Sequence, residues 1–322
     1  MIRVGLVGIG GMGTVHYNEY KKIDAASVVA VADVRADMAK EKTNGDNVSV
    51  YDNMESLLLN EQIDMIDICA PSYLHAELAI KALEAGKHVI CEKPMSINTK
   101  DCERIIDAAS KSGKLFMTAH VVRFMKAYEY LKNIIDTKEL GNPVHFDMKR
   151  ISAIPRWSFE DWMRDTKKSG ASPIDLSIHD IDFIQCVFGE PKKLSSAHRS
   201  MTNDNDFIIS ELVYDGFDAS ITGGWFNCDI PFKAQYLAIF ENGYVEYVNG
   251  KIIKNGQEIE IKKESDSKIE GINISGADGY YDELVYFVNC INKGIKPDRV
   301  TSESSKNSVS LVEKIREISV NI

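Results

Sequence analysis

The sequence has no Cys-x-x-Cys pair, and its six cysteines, at positions 69, 91, 102, 186, 228 and 290, stand far apart. That spacing suggests neither a zinc site nor a disulfide framework. Cys69 and Cys91 each end an apolar run and are expected as small buried residues. No apolar run approaches the ~18 residues of a membrane span. The start MIRVGLVG passes straight into glycines, without the apolar region of a signal peptide. Positive charge is in deficit: 38 basic against 48 acidic residues give a formal net charge of -10, and no local basic patch offsets it. Nucleic acid and anionic membrane are therefore not expected as partners, and a cytoplasmic location is expected. There are no internal repeats and no low-complexity segment. The length of 322 residues favours about two domains, and 44% hydrophobic against 27% charged residues fits a chain folded throughout.

What is present is an alternation. Over the first 120 residues, β-rich runs (IRVGLVG, SVVAVAD, VSVY, IDMIDICA, KHVICE, KLFMTAHV) alternate with amphipathic segments. This order predicts an α/β fold with a doubly wound, mostly parallel sheet, whose near-apolar strands are covered on both faces. After about Arg123 the pattern changes to a helix (AYEYLKNIIDTKEL), a strand (PVHFDMKRI), an aromatic loop and a second helix. Strands KKLSSAHR, FIISELVY, DASITGGWF, KAQYLAIF, GYVEYV and QEIEIKK follow, separated by Gly, Asn and Asp turns. They predict a large, mostly antiparallel open sheet. Two closing helices follow, from Tyr280 and from Thr301, with Thr301 or Ser302 as cap. The expected domains are residues 1–122, a Rossmann domain, and 123–300, a domain for substrate and oligomerisation, with helix 301–322 packing back on the first.

Gly8, Gly10 and Gly13 of GIGGMG follow a predicted strand and open a predicted helix, and Asp33 ends the next strand. In that context the glycines have separate tasks: a tight turn, backbone approach to a pyrophosphate, and close helix–strand packing. Asp33 would accept from the adenosine ribose hydroxyls, which favours NAD. Arg35, two residues on, keeps NADP open, and reads equally as a solvated arginine at a helix start.

Further candidates stand at the carboxyl ends of later strands, the edge where open α/β sheets bind ligands. Pro94 cannot continue a central strand, so the chain turns at Glu92-Lys93-Pro94 and leaves Lys93 at that edge. In ASPIDLSIHDIDFIQCVFGEP, Pro173 suits a first helical turn. Asp175 and His179, four apart, would share one helical face beside an apolar stripe. They could hold one polyol, form a plain surface pair, or begin a metal site. No third ligand appears at useful spacing, so no metal is expected.

These residues together resemble the Gfo/Idh/MocA oxidoreductases, a resemblance carried by GIGGMG, Asp33, APSYLH, CEKP, RFMKAYEYLKNIIDTKELGNPVHF, IDLSIHDIDF and YYDELVYFVNCINKG. It covers essentially the whole chain. It implies a nicotinamide held by a Rossmann domain beside an α/β domain, and a hydride exchanged with a secondary hydroxyl of a sugar, cyclitol or related polyol, as in inositol dehydrogenase. By the same resemblance, Lys93, Asp175 and His179 surround the reacting hydroxyl. Cofactor contacts come from Gly8, Ile9, Gly10, Gly11, Met12, Gly13, Asp33 and Arg35, and from Ala70, Pro71, Ser72, His75, Glu92 and Lys93. Arg123 and Tyr280 fall on family positions at the substrate. Trp157, in PRWSFEDWMRD, would wall the sugar pocket or pack in the core. A homodimer or homotetramer joined through the second-domain sheet is implied. Two other activities share the scaffold: a redox-assisted glycosidase or epimerase with bound NAD, and a non-catalytic nucleotide-binding regulator. Where relatives carry two or three glycines before the aspartate, this chain has Gly170-Ala171-Ser172-Pro173. Where they often have Thr-Pro-Asn, it has Ala70-Pro71-Ser72.

Overall fold

A computed structural model of the chain describes residues 1–202, 204–260 and 279–321. The chain divides into two compact units: Met1–Val121 with Gly279–Lys306, and Val122–Asp278 with Asn307–Ile322, as far as those spans are described. The late helix read from sequence as part of the second domain is thus part of the first unit. The closing helix is shared, belonging to the second unit from Asn307 on.

The first unit is built on a six-stranded parallel sheet in the order β3-β2-β1-β4-β5-β6. Its strands are β1 (Ile2–Val7), β2 (Ala26–Ala32), β3 (Ser49–Tyr51), β4 (Met65–Ile68), β5 (His88–Glu92) and β6 (Phe116–Ala119). Reversal of strand order between β1 and β4 makes the topological switch point at which such sheets bind dinucleotides. The central strands are buried almost throughout, which their crossover helices require. β4 is the informative exception in composition: it reads MIDI, and Asp67 is wholly buried with its neighbours. The helices are α1 (Gly11–Tyr20), α2 (Ala36–Lys42), α3 (Met54–Asn60), α4 (His75–Glu84), α5 (Thr99–Ser112) and, late in the chain, α9 (Tyr280–Lys293), which packs against α1.

In the second unit the described strands are β7 (Pro143–Ala153), β8 (Lys193–Thr202), β9 (Asn205–Val213), β10 (Asp218–Phe226), β11 (Lys233–Phe240), β12 (Gly243–Val248), β13 (Lys251–Lys254), β14 (Gln257–Ile259) and β15 (Val320–Asn321). These nine form one sheet, ordered β14-β13-β12-β11-β7-β10-β9-β8-β15. All its neighbours are antiparallel except β7 with β10 and β8 with β15. Burial alternates along β7, β9, β10 and β11. On one face Phe146, Met148, Ile208, Leu212, Ile221 and Phe240 are buried; on the other Ile209 is 44% exposed and its neighbours half-buried. Helix α6 (Lys126–Thr137) is tied to this sheet by Tyr236, whose hydroxyl donates to Ala127 O at 2.7 Å. The expected strand QEIEIKK is observed as β14 (Gln257–Ile259), and its last three residues, 261–263, lie outside the described residues. Helix α10 (Ser302–Ile318) is capped by Thr301, whose Oγ1 accepts the Ser304 N–H at 3.0 Å.

Candidate active site

In the first unit, the turn after β1 shows why its glycines stand where they do. Gly8 has φ +86°, and a Cβ there would press on the Cys69 carbonyl; a Cβ on Gly13 would collide with the Gly8 carbonyl. Gly10 is different. A Cβ there would meet only the Arg35 guanidinium, at 3.7 Å, so packing among the described residues does not demand glycine. A close backbone approach by a ligand would. Gly10 is also the N-cap of α1 and offers no side-chain cap, and the first turn carries no acidic residue, so the helix amides and dipole are open to an anion. These features fit the pyrophosphate of a dinucleotide.

Asp33, 7% exposed at the end of β2, closes the turn: Oδ2 accepts the Ile9 N–H at 2.9 Å, and Oδ1 accepts the Arg35 N–H at 2.9 Å and Nε–H at 3.3 Å. Oδ2, which takes one donor, keeps further acceptor capacity for a ribose hydroxyl. Sequence reasoning missed Lys42. From the end of α2 its Nζ donates to Ile9 O at 2.8 Å and to Thr14 Oγ1 at 2.7 Å, capping the glycine turn with a second cation beside Arg35. Burial, and then the Arg35 charge, push its pKa down. A lone lysine 33 residues beyond Ile9 gave no signal of this.

At the ends of β4 and β5, Ala70, Pro71 and Ser72 lead into α4, and Glu92 and Lys93 form the following edge, with a cis peptide between Lys93 and Pro94. Lys93 is half-buried, and Glu92 is 7% exposed. His75 is buried, with Nδ1 2.7 Å from Pro94 O and Nε2 2.9 Å from Ala70 O. Its ring therefore spans the two loops. Sequence reasoning also missed His16, three residues past the last fingerprint glycine. It lies wholly buried with Nδ1 2.9 Å from Asp67 Oδ2, and the Tyr280 ring, also buried, is 6.1 Å away between centroids. The signal was Asp67, an acid inside an apolar strand, which burial obliges to find a partner. Cys69 Sγ is 3.4 Å from both His16 Nδ1 and Asp67 Oδ1; this donor set is held together by its own hydrogen bonds.

In the second unit, the segment carrying Asp175 departs from the expected α-helix. Residues Pro173–Ser177 form a π-helical turn, and α8 (Ile178–Phe188) begins only afterwards, with the Ile178 N–H reaching back to Pro173 O. The four-residue spacing of Asp175 and His179 is therefore not an α-helical spacing, since a π-turn takes in an extra residue. The approach is tight: after the short helix α7 (Thr166–Ser169), Gly170 and Ala171 both have positive φ, +73° and +60°, and Asp206 Oδ2 accepts the Ser172 N–H at 2.6 Å. A Cβ on Gly223 of β10 would collide with Ser177, so that glycine lets the π-turn lie flush on the sheet.

Of residues 171–185, only Asp175 and His179 are not buried. The other acids of IDLSIHDIDF are engaged inside the fold. Asp180 takes two hydrogen bonds from Arg150, at 2.9 and 3.2 Å, and one from the Tyr128 hydroxyl at 3.0 Å. Asp182 takes the Arg123 fork at 2.7 and 2.8 Å and the Ser308 hydroxyl at 2.6 Å. Arg123, expected at the substrate, is thus placed 8% exposed in a bidentate pair that anchors α8. Trp157 is 59% exposed, whereas Trp162 packs on the cluster of Ile154, Met163, Ala171, Leu176 and Trp225.

Residues 2–120 match the model of an oxidoreductase family with an NAD-binding Rossmann fold, and residues 132–214 match the C-terminal alpha/beta domain of the same family. The chain belongs to the Gfo/Idh/MocA oxidoreductases. Among similar proteins, a myo-inositol 2-dehydrogenase of Thermotoga maritima is 31% identical over 64% of this chain, a match that spans 60% of its own length. A crystal structure of a myo-inositol 2-dehydrogenase from Lactobacillus plantarum superposes with a TM-score of 0.82 at 21% identity, covering 98% of this chain and 96% of the other. A 3-ketoreductase from Actinomadura kijaniata, solved with TDP-benzene and NADP, superposes with a TM-score of 0.83 at 20% identity, covering 100% and 98%. At these identities the two structures show the shared fold. No described helix is long and apolar enough to cross a membrane.

Proposed function

We propose that the protein is an NAD(P)-dependent dehydrogenase acting on a secondary hydroxyl of a sugar, cyclitol or related polyol. The observation that carries this reading is that Asp175 and His179 are only half-buried on an otherwise buried segment whose other acids are committed to buried arginines. A nicotinamide, when bound, supplies the hydride acceptor; Gly8–Gly13, Asp33 and Arg35 would hold its dinucleotide. The chain's own residues then handle the proton and the oxygen. His179 takes the hydroxyl proton, a task suited to an imidazole whose ordinary pKa of about 6.5 lies near working pH. Asp175 accepts from a neighbouring hydroxyl or supports the imidazolium that forms. Lys93 donates to the reacting oxygen and stabilises its alkoxide character. Similarity to proteins named inositol 2-dehydrogenase supports the substrate class.

The half-buried face of the second sheet, with Ile209 exposed beside Phe207 and Phe226 stacked at 5.6 Å, supports assembly of a homodimer or homotetramer through that face. The test of function is a panel of cyclitols, aldoses and sugar phosphates followed by nicotinamide absorbance and product mass. Lys93→Ala and His179→Ala are each expected to lower turnover by about a hundredfold with NAD affinity retained. Near-normal turnover in both variants would refute the assignment.

A further inference from the structure

The mechanism above leaves unused a buried charged cluster beneath the Lys93 edge. His16, from α1, has a carboxylate at each ring nitrogen: Asp67 Oδ2 of β4 accepts at 2.9 Å from Nδ1, and Glu92 Oε1 of β5 faces Nε2 at 3.2 Å, an ion-pair distance without hydrogen-bond alignment. The other oxygen of Glu92, Oε2, accepts the backbone N–H of Lys93 at 3.0 Å. His16, Asp67 and Glu92 are all at most 7% exposed. The remaining polar groups facing the ring are Cys69 beyond β4, Tyr20 on α1, and Tyr280 and Glu283 on α9, with the Arg299 charge acting on Glu283. Among the described residues only His16 offers a cation between the two carboxylates, and two buried anions without one would repel each other strongly in so dry a place.

We propose that His16 is a positioning residue for Lys93: a buried imidazolium that ties the end of β4 to the end of β5 and, through Glu92, fixes the Lys93 peptide at the catalytic edge. This rests on the reading of Lys93 as the group that touches the reacting oxygen. The direction of the proton equilibrium agrees. Burial alone would lower the His16 pKa, yet Cys69 and Asp67 hold it well above the ordinary value, and His16 helps hold the Glu92 carboxyl below its own despite burial. Because the bridge joins neighbouring strands at their carboxyl ends, its loss loosens the Lys93 turn without removing any contact to a nucleotide. The order in the chain Asp67, His16, Glu92, Lys93 is thus from structural anchor to chemistry.

The test uses the full chain labelled with 15N-histidine. One of its seven histidine rings, assigned by its absence in His16→Gln, is expected to carry protons on both nitrogens at pH 8; a neutral ring at position 16 would overturn the proposal. Should His16→Gln not fold, Asp67→Asn serves: removing the carboxylate that accepts the Nδ1 proton is expected to turn the same ring neutral at pH 8, and an unmoved resonance is the contrary result. Hydrogen exchange with NAD+ bound then reads the positioning. Residues 92–95 are expected to exchange at least tenfold faster in His16→Gln, with β1 and β2 as protected as before, whereas a uniform change across the sheet marks a purely structural residue and overturns the idea. Stoichiometric zinc in the purified protein would do the same, since an imidazolium cannot ligate. Normal turnover in Lys93→Ala would sink the reading of Lys93 while leaving the ring signature standing, so the two failures are distinguishable.

Discussion

The turn at Gly8–Gly13 and the turn at Gly170–Ser177 both swing the chain into a helix that presents function, and they are built in opposite ways. In the first, the residues that make close approach feasible lie inside the turn: Gly13 exists because the Gly8 carbonyl is where its Cβ would be. In the second, Gly170 clears Ile174 locally, but the tightest approach is made possible by Gly223, on a strand, facing Ser177. The first turn leads straight into an α-helix, whereas the second inserts a π-turn before α8. A turn whose constraints are local can be recognised from a short stretch of sequence; one whose constraints come from a distant strand cannot.

The contrast can be broken by substitution. Gly13→Ala is expected to have the largest effect: the clash is with backbone, which cannot rotate away, so NAD binding should vanish in calorimetry and the melting transition should drop or disappear. Arg123→Ala tests what anchors the second helix. It leaves Asp182 buried without its bidentate partner and is expected to cost about 3–5 kcal/mol in urea unfolding, while Asp182→Asn should cost less. Gly223→Ala is expected to be milder than Gly13→Ala, because the nearest obstacle is a serine hydroxyl that can turn. Turnover should fall about tenfold with NAD affinity unchanged, and Ser177→Ala in the same chain should recover part of it.

The smallest effect comes from Glu283, whose two carboxyl oxygens have no hydrogen-bond partner among the described residues and whose pKa burial holds well above the ordinary range. An acid raised in the folded state favours folding fully below the unfolded chain's carboxyl range, and that contribution is lost as pH rises. Glu283→Gln is therefore expected to raise Tm at pH 8 by about 2–4 °C, the equivalent of about 1 kcal/mol, and to leave it unchanged near pH 4. Equal shifts at both values would mean that packing, not charge, is responsible.

Most of the architecture was readable from periodicity. The alternation of β-rich and amphipathic runs specified the parallel sheet, and the turn-separated strands after Arg123 specified the mainly antiparallel one. The nucleotide turn was readable down to single residues because its glycines stand at a fixed spacing between a strand and a helix, and Gly13 answers a steric demand only five residues away. Three things were not. Asp175, Asp180 and Asp182 look alike in IDLSIHDIDF, and only the positions of Arg150 and Arg123, on distant elements, separate the half-buried acid from the two buried ones. His75 and Glu92 could be placed at the cofactor edge, yet that their side chains brace loops is a tertiary fact. The chain's division was the third: nothing in YYDELVYFVNCINKG says that it completes the first unit rather than the second.

That division has a consequence for the order in which the molecule can be made. Helix α1, with His16 and Tyr20 on its inward side, is synthesised early, but the helix that covers it, α9, begins only at Tyr280. A ribosome adding about 5–20 residues per second therefore has to finish every described strand of the second sheet except β15 before the first unit can close. Until then the α1 surface is open to water, and the buried acids of the cluster can ionise freely. The nucleotide-binding half is the first to be written, yet it waits for nearly the whole chain before it is sealed.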